Sequence, residues 1–444
     1  MRIYISDKEI SSSSKKNLVV LLTTKQSPHL EANFHFIERN VRSYKRVYIL
    51  DITSDVPYRN EYTWRNFIPL RQNIIRKFRN GIVKDFYIWD QCKKLQFHSE
   101  ELRIFGELLL NEKEIFSILK TYSMTEFKSA AYNRSFCDEK IILSIKNTSS
   151  ILNQFIKSYK ITKNDIFLLF NGRHPLEYSS RLTLTKLGFK KIIYHECNNF
   201  DYKVFFTNFQ IHKLDAYHSF ILNYCSNNKN LVSRWHELKG LKLKKEYSKK
   251  YVTYFTSSFD EFSFAYDKPI NQALLIHNLI NNKSLIPLKI RVHPNTANKS
   301  IQDQNFWNFL KKKFPEIIIN YDESICSYEL IKQSFFTVSI GSSIAPESLL
   351  LGTNHLLCGT QHMYSKLPGF YRSNESNLIK MINVLFKNRF KLKVITKNMQ
   401  ELCAASQLFN KDIGEKIPLS FFGKYPFRLA SDNFIDRIIQ NFKK

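Results

Sequence analysis

The residues best suited to chemistry in this chain sit in a few short stretches. In SIGSSIAPESLLLG (339–352), Gly341 lets a ligand approach the backbone. Ser342 and Ser343 offer hydroxyls and N–H groups, and a helix from about Ala345 points its positive end at the same spot. Such a turn suits an anion, above all a phosphate. Glu347 lies on the first turn of that helix, where the dipole favours a carboxylate, and a carboxylate there can also accept two hydrogen bonds from a ribose diol. Ordinary capping, with Ser343 as N-cap before an acidic first turn, uses the same residues, and the two readings are compatible. In RVHPN (291–295), Arg291 and His293 lie two apart and share a face if the strand persists, while Pro294 fixes the exit direction toward Asn295. Together they suit a phosphate held by charge-assisted hydrogen bonds, although a His-Pro at a strand end is common enough without one. Thr256, Ser257 and Ser258 in TSSFDE (256–261) are further hydroxyls for the same phosphate.

The elements that must position these residues alternate between strand and helix. NLVVLLTT (17–24) and RVYILDIT (46–53) are apolar runs bounded by polar residues, as strands buried on both faces are, and ANFHFIERNV between them fits a crossover helix. DIFLLFNG (165–172), a helix ended by Gly188, and the strand KIIYHE (191–196) continue the pattern. A second set follows a charged stretch at 238–250. Its strands are YVTYFTSS (251–258), IPLKIRVHPN (286–295), EIIINYD (316–322), FFTVSIG (335–341) and NHLLCG (354–359), with helices between them and near 374–388. Strand, helix, strand at this spacing implies parallel sheets, and therefore an α/β chain of two Rossmann-like domains facing across a cleft. The expected division is 1–240, 241–426, and a last helix within 427–444 that packs back on the first domain. Such sheets bind ligands at the carboxyl ends of their strands, so the loops after YVTYF, IPLKIRV and FFTVSIG converge on one crevice.

Composition bounds the rest. A length of 444 residues suits two or more domains, and 43% hydrophobic residues with 37 Phe and 23 Tyr can build their cores. The 67 Lys and Arg against 39 Asp and Glu leave a net charge of +28, which attracts phosphates, nucleic acid or anionic lipid headgroups. An AT-biased genome yields the same lysine-rich composition, so many of these charges read equally as solvated surface. No nucleic-acid module is visible, and nucleic acid is not expected as a partner. Seven widely spaced cysteines without a C-x-x-C pair argue against a disulfide framework or a zinc site and for a reducing compartment. The start lacks a signal-peptide pattern and no apolar run is long enough to span a bilayer, so a cytoplasmic protein is expected, with any contact to an anionic membrane surface peripheral. The absence of G-x-G-x-x-G and G-x-x-x-x-G-K-[ST] makes a dinucleotide oxidoreductase or a P-loop ATPase a poor fit.

An HP after a strand, then S-x-G-S-S before a helix with Glu and a closing Gly, resembles the second half of bacterial capsule and lipopolysaccharide glycosyltransferases of the GT-B type. It is most similar to those that use CMP-activated acidic sugars, the Kdo and sialic acid transferases. FNGR (170–173) followed by YHECNN (194–199) resembles the NGR and Glu elements of related surface-polysaccharide proteins. The resemblance implies that His293, Ser342 and Ser343 hold the donor phosphate and Glu347 the ribose or base. It implies no cofactor beyond the nucleotide sugar as co-substrate, CMP-linked by preference, and a saccharide or lipid-linked saccharide as acceptor. The Q-x-x-x-D element of retaining β-Kdo transferases has no counterpart, so their stereochemistry is not implied. Glycosyl transfer needs a neutralised leaving phosphate and, when inverting, a base for the acceptor hydroxyl. Glu196, at the end of KIIYHE, is the leading base, with His195 and Asp201 behind it; Asn171 and Arg173 suit an acidic or phosphorylated acceptor. No D-x-D motif is present, which suits metal-independent transfer. The alternatives are a GT-B enzyme using a UDP- or GDP-sugar, and a basic, non-enzymatic polyanion- or lipid-binding protein.

Overall fold

The computed structural model describes residues 2–6, 16–23, 27–40, 43–52, 97–101, 107–127, 139–198, 203–210, 213–241, 247–257, 272–281, 286–298, 301–359 and 364–416. The first half contains β1 (Arg2–Ser6), β2 (Leu18–Leu22), α1 (Ser27–Asn40), β3 (Val47–Asp51), β4 (Phe97–Glu101), α2 (Glu112–Phe127), α3 (Glu139–Ser158), β5 (Ile166–Phe170), α4 (Pro175–Lys186), β6 (Ile192–Asn198) and β7 (Lys203–Thr207). Next come α5 (His218–Asn227), α6 (Leu231–Leu238), β8 (Tyr251–Phe255), α7 (Gln272–Asn281), β9 (Leu288–Arg291), α8 (Ile301–Lys313), β10 (Ile318–Ile319), α9 (Ser327–Gln333) and β11 (Ser334–Ser339). The chain continues with α10 (Ile344–Leu350), β12 (Asn354–Cys358), β13 (Tyr371–Ser373), α11 (Leu378–Lys387), α12 (Lys397–Asp412) and β14 (Glu415–Lys416).

Two compact units emerge. One comprises Met1–Tyr122, Asn133–Ile211 and Ile413–Lys444, the other Ser123–Tyr132 and His212–Asp412. The boundary therefore falls near residue 212 rather than at 240. The reason is packing: α5 and α6 lie against α12, and the Leu231 N–H at the start of α6 donates to the Glu401 carboxylate of α12 at 3.0 Å. Charge in 238–250 therefore does not mark the division between cores. The last helix expected within 427–444 lies outside the described residues.

In the first unit the sheet runs β14-β7-β6-β5-β2-β3-β1-β4. Its centre, β6-β5-β2-β3, is parallel, and every residue of β2 is buried, as an apolar run covered by helices on both faces requires. Phe155 of α3 packs edge-on to Tyr48 of β3, and Phe167 of β5 edge-on to Phe189, filling the layer beneath these helices. Antiparallel strands flank this core: β1 joins β3 and β4, and β7 joins β6 and β14. Strand order reverses between β2 and β5, so the first residues beyond them, Thr23 and Asn171, stand at a topological switch point.

The second sheet is wholly parallel, β10-β9-β8-β11-β12-β13. Counted in chain order within the unit, this is the doubly wound arrangement 3-2-1-4-5-6, and its switch point lies between β8 and β11. Trp307, Phe336, Tyr254 and the aliphatic residues of β8, β9 and β11 form its core. Burying each large apolar side chain contributes roughly 1.5–3 kcal/mol, and this fixes the strand ends from which the loops emerge. The expected strand at 316–322 is reduced to the two residues of β10. No helix among the described residues is long and apolar enough to cross a membrane.

Candidate functional site

At the switch point of the second unit, three loops are tied to one another by hydrogen bonds. Thr256, just past β8, accepts the His293 N–H on its hydroxyl at 2.9 Å, and its own N–H donates to the Arg291 carbonyl at 3.0 Å. The Ser257 hydroxyl donates to the Ile340 carbonyl at 3.3 Å, one residue before Gly341. Gln272, at the start of α7, closes the turn by accepting the Ser257 N–H at 3.0 Å and donating to its carbonyl at 2.8 Å. Thr256 and Ser257 are both buried, so their hydroxyls brace the loops rather than face solvent. Ser258 lies outside the described residues.

His293 is half-buried, and its Nδ1 accepts the Asn295 N–H at 3.1 Å. That assigns the proton to Nε2 and makes this nitrogen a donor. Pro294 is exposed and opens a short 3-10 turn with Asn295. Gly341 adopts φ +62, the left-handed conformation that glycine tolerates at least cost. Ser342 is half-buried and its hydroxyl accepts the Ile344 N–H in a long 3.4 Å contact. Ser343 is the N-cap of α10, is exposed, and makes no side-chain capping hydrogen bond. The two readings of this turn therefore part: capping does not use the Ser343 hydroxyl.

Two residues expected here as ligands are engaged elsewhere. The Arg291 guanidinium is buried and donates to the main-chain carbonyls of Asn320 and, at 3.0 Å, Glu323, so it braces the loop after β10. Burial holds its pKa below the usual range, although Glu323 and Asp322 nearby oppose the shift. Glu347 is buried, and its Oε1 accepts hydrogen bonds from Lys239 Nζ at 3.0 Å and the Tyr328 hydroxyl at 3.3 Å. Burial alone would lower the Lys239 ammonium; Glu347 beside it, with help from Tyr328, outweighs this and raises it. Lys239 sits in a stretch that reads from sequence as linker, and only its tertiary contact with Glu347 marks it.

Beneath the turn lies a buried polar chain. Ser348 donates to the Ile344 carbonyl at 2.8 Å and accepts from Thr337 at 2.7 Å; Thr337 is 2.7 Å from His355 Nδ1, and Ser339 is 3.0 Å from His355 Nε2. Because the Thr337 hydroxyl donates to Ser348, it accepts from Nδ1–H, and Nε2 then accepts from Ser339. Full burial pushes the imidazole down to about 3, so it is neutral throughout the physiological range. The chain fixes β11, β12 and α10 to one another directly under Gly341.

The first unit places its candidates around a tight turn. Asn171, just past β5, donates its side-chain N–H to Glu196 Oε2 at 2.9 Å and accepts the Arg173 N–H at 3.0 Å; its own N–H donates to the His195 carbonyl at 3.0 Å. Gly172 adopts φ +79 with the Tyr194 ring so close that an added Cβ would stand 2.9 Å from it. A glycine between Asn171 and Arg173 is thus a steric requirement. Glu196 and Arg173 are both half-buried. His195 points to the other face of β6, fully buried between the rings of Phe170 and Phe206, and burial pushes it down to about 3. It therefore packs within the core, on the face opposite Glu196. Asp201 lies outside the described residues.

Glu177 was not among the residues expected from sequence. It is on the first turn of α4 and fully buried, and among the described residues neither carboxyl oxygen has a hydrogen-bond partner. Burial pushes it up to about 8; nearby Thr23 and Arg173 offset part of this cost, whereas Glu196 adds to it. The sequence PLEYSS shows only an acidic first turn, which the helix dipole explains without any special role.

No protein-family model matches the chain, and no curated protein matches it. Among solved structures it is similar to Thermosulfurimonas dismutans KpsC, a beta Kdo 2,7 transferase, at 14% identity over 76% of this chain and 98% of that one, with a TM-score of 0.34. It is similar to Acinetobacter baumannii MurG at 12% identity over 88% and 95%, TM-score 0.30. A third is the Methanocaldococcus jannaschii UDP-GlcNAc 2-epimerase, in complex with UDP-GlcNAc and UDP, at 12% identity over 90% and 100%, TM-score 0.27. At these scores the likeness carries no functional assignment.

Proposed function

We propose that the chain is a glycosyltransferase acting on a nucleotide-activated sugar, whose phosphate is received at the switch point of the second unit. One observation carries this: the loops after β8, β9 and β11 are joined there by the Thr256–His293 and Ser257–Ile340 hydrogen bonds, with the Ser343 hydroxyl left out of helix capping. The donor is a CMP-linked acidic sugar of the sialic acid or Kdo type, and the acceptor is a growing surface polysaccharide or lipid-linked saccharide. In the transfer, the bond from the anomeric carbon to the phosphate oxygen breaks and the acceptor oxygen bonds to that carbon. The departing phosphate is met by the His293 Nε2–H and the Ser342 and Ser343 hydroxyls. Glu347, buried and held by Lys239 and Tyr328, steadies α10 behind these hydroxyls. In the first unit, Glu196, which accepts a hydrogen bond from Asn171, is the group proposed to take the acceptor proton, and Arg173 the one proposed to bind acidic or phosphorylated groups of the acceptor. A phosphate met by His293 and serine hydroxyls needs no cation, and metal-independent transfer is part of this proposal.

Two variants separate the roles. His293→Ala should cut donor turnover about 100–1000-fold, as removal of one preorganised donor does, and an undiminished rate would remove it from the phosphate site. Glu196→Gln should lower turnover about 100-fold or more while nucleotide binding persists; unchanged turnover excludes it as the base.

A further inference from the structure

The edge of the second sheet opposite the switch point carries a feature that donor chemistry does not use. From residue 376 to 400 the sequence has six Lys or Arg and no Asp or Glu. Within it, Lys387, Lys391 and Lys393 are exposed, and two large apolar side chains stand almost free of the protein: Phe390 is 80% exposed and Val394 82%. The segment that presents them is firmly built. Lys393 donates its N–H to the Tyr371 hydroxyl at 2.8 Å and accepts the Asn354 side-chain N–H at 3.2 Å. The Arg389 guanidinium lies 4.6 Å from the centre of the Phe390 ring, 4.5 Å from that of Phe386 and 5.3 Å from that of Phe335. Tyr371 and Asn354 are the first residues of β13 and β12, and Phe335 is the second of β11. The patch therefore lies at the amino ends of the strands, while the loops of the donor site leave the carboxyl ends.

Helix ends commonly carry cations that offset the dipole, and this accounts for Lys387 in the last turn of α11. It does not account for Lys391, Lys393, Phe390 and Val394, which lie beyond the helix. A soluble polyanion would be held by the cations alone and would gain nothing from two apolar tips held out in water. A bilayer with anionic headgroups uses both, since basic side chains near its surface each add on the order of fivefold in binding and apolar tips enter the boundary below them.

We propose that the segment 387–394 docks the second unit on an anionic lipid surface, with Phe390 and Val394 inserted and Lys387, Lys391 and Lys393 at the headgroups. Docking through this edge leaves the opposite edge open to a nucleotide from solution. The inference stands apart from the donor reading and is tested without any sugar.

The full chain should float with vesicles of equimolar phosphatidylcholine and phosphatidylglycerol and not with phosphatidylcholine alone. The double variant Phe390→Ser, Val394→Ser, which keeps every charge, should bind the anionic vesicles about tenfold or more weakly. The pair Lys387→Glu, Lys391→Glu should lose at least as much. All these positions are exposed, so melting temperatures should match the parent, and a variant that melted early would be replaced by Phe390→Thr alone. Absence of flotation overturns the proposal. So does a serine variant that binds vesicles as well as the parent while the charge-reversed one fails, which is the outcome for a general polyanion surface.

Discussion

Glu177 and Glu196 show how differently two carboxyls beside one turn can be placed. Glu196 is half-buried and accepts a hydrogen bond from Asn171, whereas Glu177 is sealed and lifted to about 8 by burial. The folded state thus holds the Glu177 proton more tightly than the unfolded chain. Its contribution to stability is fully present below about pH 4.5 and is lost as pH rises through about 8. Glu177→Gln should therefore melt higher than the parent at about pH 9 by some 2–4 °C or more and show a smaller loss between about pH 5 and pH 9. An unchanged pH dependence of melting would show that the group is not held protonated. Of the residues in the candidate sites, His293, Ser342 and Ser343 were legible in the sequence because strand ends and small hydroxyl turns are local patterns. Arg291, Glu347 and Glu177 were not legible in their surroundings. Whether a guanidinium meets a ligand or two backbone carbonyls, and whether a carboxylate meets a ribose or a lysine more than a hundred residues away in sequence, depends on packing that no local pattern encodes.

At the scale of elements, continuous apolar runs made the central strands readable. LVVLL, IFLLF and YVTYF are buried as expected of strands covered on both faces. Edge strands such as FHSEE and the two-residue β14 carry no such run, so the antiparallel flanks of the first sheet were invisible in sequence. The unit boundary was hidden for a related reason: α5 and α6 show their own pattern but not the partner, α12, against which they pack. The turn at Gly341 also depends on a brace that sequence does not announce. His355 joins Thr337 on β11 and Ser339 at its end. His355→Phe fills the volume but leaves the Ser339 hydroxyl without its acceptor, at about 1–3 kcal/mol, and strips Thr337 of the donor it accepts from while its bond to Ser348 remains. We expect the variant to melt several degrees lower at any pH between about 5 and 9, since the parent imidazole is neutral across that range. A loss confined to acidic pH would mean that the imidazole carries charge in the folded protein.

For the molecule as a whole, the two sheets differ in construction. The wholly parallel second sheet has one switch point and gathers three loops at it, with a basic, apolar-tipped edge at its far end. The first sheet sets the Asn171–Glu196 pair beside its own switch point. The net charge of +28 fits partners rich in phosphate or anionic lipid, and salt should weaken both contacts. The central claim is that the second switch point receives a nucleotide, and a thermal-shift panel of CMP, UDP and GDP on the parent, His293→Ala and Ser343→Ala tests it most directly. CMP should stabilise the parent by about 2.7 kcal/mol at a concentration about 100 times its Kd, and the two variants should lose most of that gain. A panel in which no nucleotide raises the melting temperature, or in which the variants are stabilised as fully as the parent, would contradict it.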